Sequence, residues 1–84
     1  MFRNSGIDSI AKKILPFGER LMKNDLTQEE RVETINRVLE DLKNNNKIVG
    51  FEVIQGINCF ELIIEVKRLH LFNVHIDESV CYIY

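Results

Sequence analysis

The sequence predicts a two-layer α+β fold, with N-terminal helices packed on a four-stranded antiparallel meander sheet. Three observations carry that expectation. Residues 47–84 break into four short runs rich in β-branched and aromatic residues, interrupted with period two by polar ones. Gly, Asn, Asp and Ser gather between those runs, as turns require. The N-terminal half instead shows apolar residues at helical spacing, so an apolar helix stripe and an apolar sheet face are available to bury each other.

The first segment, residues 5–23, is amphipathic. Ile7, Ile10, Ala11, Ile14, Leu15, Leu21 and Met22 follow helical spacing, and Ser5 with Asp8 resembles a capping box. Pro16 has no amide proton and its ring opposes the carbonyl of Lys12, while Gly18 weakens the helical turn after it, so the helix is expected to break near Pro16. A long second helix is expected over residues 28–44. Thr27 and Glu30 form its capping box, and Val32, Ile35, Val38, Leu39 and Leu42 form its buried stripe. Asn44, Asn45 and Asn46 end it, because Asn tolerates the left-handed conformation that closes a helix.

In the meander, a type II′ turn centred on Gly56 and Ile57 would set Gln55 opposite Asn58, Val53 opposite Phe60, Phe51 opposite Leu62 and Val49 opposite Ile64. Val66, Phe72, Val74 and Ile76 share that inner side, and a turn at Asp77 to Ser79 returns Val80, Tyr82 and Tyr84 to it. The opposite face then carries Glu52, Ile54, Cys59, Glu61, Ile63, Glu65, His75 and Cys81, with Glu52 directly across from Glu61. No linker or internal repeat divides the chain, and residues 1–84 read as a single domain.

Composition narrows the function classes. With 45% hydrophobic and 29% charged residues the chain belongs with folded rather than disordered proteins. A net charge of −2 gives no general attraction to polyanions. No apolar run reaches the ~20 residues of a membrane span and no signal-peptide core is present, so the expectation is a cytoplasmic protein with no membrane association. Cys59 and Cys81 are expected to be free thiols, on strands that a third strand separates. His75, Cys81 and Glu61 are of ligating type, but without CxxC or HxxxH spacing they fall short of a zinc signature, and neither metal nor cofactor is expected. There is no Gly-rich phosphate loop, and no nucleophile with a matched base can be assembled, so the chain reads as a non-enzyme.

What remains is surface contact. Glu52, Ile54, Glu61, Ile63 and Glu65 suit a protein partner with an apolar centre and a basic rim. Tyr82 and Tyr84 join them as part of an uncharged C-terminal run, Val80 to Tyr84, at a sheet edge. Such an edge could pair with a second copy in a homodimer, or with a strand of the target. The alternative is an RNA- or DNA-binding module. Arg3, Lys12, Lys13, Arg20 and Lys23 stand against three acidic residues in the first 25, a local balance of +2. In size and in its lack of catalytic motifs the chain resembles the small accessory and inhibitor proteins encoded by phages and mobile elements, a likeness that no motif carries. The resemblance implies an inhibitor acting by contact.

Overall fold

The computed structural model describes residues 5–84, and the side chains from Ser9 onward. Two helices, α1 (Ser5–Lys23) and α2 (Gln28–Asn44), precede four strands, β1 (Gly50–Gln55), β2 (Cys59–Lys67), β3 (His70–Asp77) and β4 (Cys81–Ile83). The strands form one antiparallel sheet in the order β1-β2-β3-β4, as the turn spacing predicts. Both helices lie on one face, α1 over β3 and β4 and α2 over β1. The core between the layers is built from Ile10, Ile14 and Leu21 of α1, Ile35, Leu39 and Leu42 of α2, and Phe60, Leu62, Ile64, Phe72, Val74 and Ile76 of the sheet.

The second helix follows its sequence signals closely. The Glu30 N–H donates to Thr27 Oγ1 at 3.1 Å and the Thr27 N–H donates to Glu30 Oε1 at 2.9 Å, so two otherwise unpaired amides are satisfied reciprocally. At the other end Asn46 takes φ 59°, its N–H reaches the Lys43 carbonyl, and the Lys47 N–H reaches that of Leu42. This pair of bonds is the Schellman arrangement that ends a helix on a left-handed residue.

The first helix corrects the expected break: α1 runs through Pro16 without interruption. Pro16 and Lys12 are both exposed, so the carbonyl that the proline leaves unpaired lies on the solvent side. Ile10 and Ile14 before the proline and Leu21 and Met22 after it are all buried. Keeping those four in phase on one stripe is worth roughly 1.5–3 kcal/mol each, against about 3 kcal/mol for an interior proline. The stripe therefore prevails. Arg3 lies outside the described residues, as do the side chains of Ser5 and Asp8 where the sequence predicts a capping box.

Two sheet registers also differ from expectation. Val53 pairs with Leu62 and Phe51 with Ile64, a shift of two residues that keeps the side chains of β1 and β2 on their expected faces. Just before β1 the phase is reversed: Ile48 is buried in the core and Val49, expected on the inner side opposite Ile64, is exposed. The cause of the two-residue shift is the turn. Gly56 does not adopt positive φ; Asn58 does, at 53°, and the Gly56 N–H donates to the Cys59 carbonyl, so Ile57 and Asn58 are the central pair. The β4 register is off by one, which reverses its faces. Cys81 pairs with Ile76 and Ile83 with Val74, both turned toward the core, and Tyr82 and Tyr84 point outward.

Candidate functional site

The sheet face opposite the helices gathers all seven residues expected to bind a protein. Glu52 and Ile54 come from β1, Glu61, Ile63 and Glu65 from β2, and Tyr82 with the following Tyr84 from the C-terminal strand. Register places them in cross-strand rows: Ile54, Glu61, His75 and Tyr82 form one, and Glu52, Ile63, Asn73 and Tyr84 the next. Glu52 therefore faces Ile63 and not Glu61, and the expected like-charge pair is replaced by two cross-strand pairings of glutamate with isoleucine, Glu52 with Ile63 and Glu61 with Ile54. Leu71 adds to this surface opposite Glu65. With Gly50, Phe51, Glu52, Ile63 and Glu65 it lines a shallow hollow of about 200 Å³.

The reversed face of β4 creates a polar network that periodicity did not disclose. His75 Nδ1 donates to Glu61 Oε2, and His75 Nε2 donates to Asp77 Oδ2 at 2.6 Å. Both ring nitrogens meet carboxylates, so the arrangement is satisfied by the imidazolium, which carries two N–H donors. Glu61 Oε1 accepts from the Tyr84 hydroxyl at 2.6 Å. Asp77 Oδ1 accepts from the backbone N–H groups of Ser79 and Val80 at 2.7 and 2.8 Å, closing the β3–β4 turn. The Tyr82 ring stacks on the His75 ring, centroids 5.0 Å apart and planes 28° apart, a favourable placement for a cation over an aromatic face.

The electrostatics arise from these contacts. The Asp77 carboxylate foremost, and that of Glu61 with it, hold His75 protonated to higher pH than an ordinary imidazole, with burial opposing weakly. Asp77 in turn is drawn down to about 2 by the His75 hydrogen bond and by the amides of Val80 and Ser79. Donation to Glu61 raises the Tyr84 phenol. On the other side of the sheet burial pushes the Cys81 thiol up to about 11, with the negative charges of Glu19 and Asp77 adding to it.

The other expected groups are dispersed. Cys81 faces the core, so it does not join His75 and Glu61, and among the described residues no cluster of His, Cys, Asp or Glu is arranged to hold a metal ion. Cys59 and Cys81 are both free thiols, on opposite faces of the sheet. Lys12, Lys13, Arg20 and Lys23 are all exposed on α1. At 3.6 residues per turn they fall within an arc of about 100°, on the side away from the stripe of Ile10, Ile14 and Leu21 that α1 buries. The basic stripe thus lies on the helix side of the protein and the acidic face on the uncovered side of the sheet, with Lys23 at the rim beside the β3–β4 turn. No helix among the described residues is long and apolar enough to cross a membrane.

Comparison with known proteins adds no relative: no family model, no curated protein and no solved structure matches this chain.

Proposed function

We propose that this protein works by binding another protein through the uncovered face of its sheet. The observation that supports this reading is the composition of that face. Ile54, Leu71, Tyr82 and Tyr84 are exposed and Ile63 is half-buried, all on one surface beside the carboxylates of Glu52, Glu61 and Glu65. Exposed aromatic and aliphatic groups set together in this way suit the desolvated centre of an interface, and the carboxylates favour a partner with Lys or Arg around its rim. In this reading the chain acts by contact alone, as an accessory or inhibitor of its target.

The test is cross-linking in the native host with quantitative mass spectrometry. The charge reversals Glu52→Lys with Glu65→Lys, and separately Leu71→Asp, reduce capture of the same partner at least tenfold, while Lys13→Glu with Arg20→Glu leaves it unchanged. The opposite pattern overturns the reading.

A second reading, nucleic-acid binding, draws on the continuity of α1, which aligns Lys12, Lys13, Arg20 and Lys23 on one exposed stripe. Phosphate contacts by that stripe give affinity for generic RNA or DNA that falls steeply with salt. Affinity that is absent at low salt, or unchanged by Lys13→Glu with Arg20→Glu, eliminates it.

A further inference from the structure

We propose that His75 is a pH-dependent latch that holds the C-terminal strand on the sheet: protonated, it bridges Glu61 and Asp77, and on losing its proton it lets go of one of them. The inference rests on where those two carboxylates lead. Each uses one oxygen for His75 and the other for the C-terminal segment. Glu61 Oε1 accepts from Tyr84, just beyond β4, and Asp77 Oδ1 accepts from the amides of Ser79 and Val80, which feed chain into it. Tyr82, between these two anchor points, stacks on the imidazole itself. Three attachments of one short strand therefore converge on one titratable ring.

β4 has little else on this face to hold it. It is three residues long and lies at the edge of the sheet, pairing with β3 alone. The groups facing the ring are Glu61 from β2, Asp77 from β3 and the phenols of Tyr82 and Tyr84. Cys59 lies beside Asp77 on β2, and Glu19 and Lys23 of α1 line a hollow at the β3–β4 turn. A neutral imidazole has one N–H and one lone pair. With carboxylate oxygens at both nitrogens, deprotonation leaves a lone pair facing an anion, and that contact changes from attractive to repulsive. Because protonation is favoured in the folded state, the stabilisation is fully present below the pKa of an unfolded histidine, ~6.5, and is lost as pH rises through the folded value.

Cys81 reports on the latch, since it is half-buried, turned inward from β4 against Gly18 of α1, and becomes more accessible when the strand detaches. In a Cys59→Ser background Cys81 is the sole thiol, and its labelling rate is compared between that protein and the same protein carrying His75→Gln. Both share the intrinsic pH dependence of the thiol, so their ratio isolates the latch. The His75→Gln protein labels at least threefold faster at about pH 6, and the two rates converge as pH rises through the titration of the imidazole. A ratio that is constant with pH overturns the proposal. If His75→Gln does not fold, the unmodified protein suffices: NMR follows the His75 ring protons and the exchange protection of the Tyr84 amide, which donates to the Asn73 carbonyl. Protection that falls with the same midpoint as the ring titration supports the latch, and protection that is flat through that midpoint overturns it.

Discussion

Gly18 of α1 and Cys81 of β4 meet across the interface between the two layers: a Cβ placed on Gly18 would lie 2.7 Å from the Cys81 Sγ and 3.2 Å from the Ile76 Cδ1. The glycine allows the helix to approach the sheet edge this closely, and the inward turn of Cys81 depends on the space it leaves. Ordinarily Gly→Ala inside a helix gains up to about 1 kcal/mol. Here overpacking opposes that gain by about 1–3 kcal/mol, so Gly18→Ala destabilises the protein by about 1 kcal/mol. In a Cys81→Ala background the same change is neutral or stabilising. Urea unfolding of the four proteins in this double-mutant cycle measures the coupling, expected to be at least about 1 kcal/mol.

The capping box of α2 offers a test of local structure. Thr27→Ala removes the hydroxyl that accepts from Glu30 N–H and also frees the Glu30 side chain from its partner geometry. The expected loss is about 1 kcal/mol in chemical denaturation. Thr27→Ser, which keeps the hydroxyl, stays within about 0.5 kcal/mol of the unsubstituted protein.

Leu69 carries a strain that substitution should relieve. It occupies the β2–β3 turn at φ 66°, a left-handed conformation that penalises a side chain, and it is 84% exposed, so packing gains little from it. Leu69→Gly is expected to stabilise the protein by about 0.5–1 kcal/mol, the left-handed penalty less the entropy of the added glycine. A rise in melting temperature checks this, and Leu69→Asn should show a smaller rise.

Acid sensitivity should trace to Asp77. Its pKa in the folded protein is lowered to about 2 by His75 and by the Val80 and Ser79 amides. A lowered folded value gives stability that is present above the ordinary aspartate range, ~4, and is lost as pH falls toward the folded value. Melting temperature should therefore decline between about pH 4 and pH 2, and Asp77→Asn should flatten that decline.

The most severe single change is expected in the centre of the sheet. Leu62 is fully buried between the layers, so Leu62→Ala should lower stability by about 3 kcal/mol through lost burial and the cavity left behind. Equilibrium unfolding in denaturant measures the loss directly.

Much of this fold could be read from the sequence because its signals are local. The box at Thr27 and Glu30 and the asparagine end of α2 each involve residues a few positions apart, and both formed as expected. The faces of β1, β2 and β3 were legible because polar and apolar residues alternate there. β4 was not, since Val80, Cys81, Tyr82, Ile83 and Tyr84 read as apolar in either phase. What selects the phase is tertiary: the gap over Gly18 takes Cys81, and the Glu61 carboxylate takes the Tyr84 hydroxyl. The β1–β2 register turned on whether Gly56 or Asn58 would take positive φ, and both residue types can. The expected binding residues were found on a common face, while the His75 network was missed because Asp77 was assigned to a turn. Its available signal was the two-residue spacing of His75 and Asp77, which puts both on one side of a strand.

The strand order has a consequence during synthesis. The two helices leave the ribosome first, and the sheet that buries their apolar stripes is made from residue 50 onward. At roughly 5–20 residues per second, α1 waits for several seconds before β3 and β4 exist to cover it. In that interval Ile10, Ile14 and Leu21 have no native partner beyond the helices themselves, and the nascent chain is most open to capture by a chaperone. Once β2 is complete, each further strand pairs with the one made just before it, so the sheet grows by successive hairpins in the direction of translation.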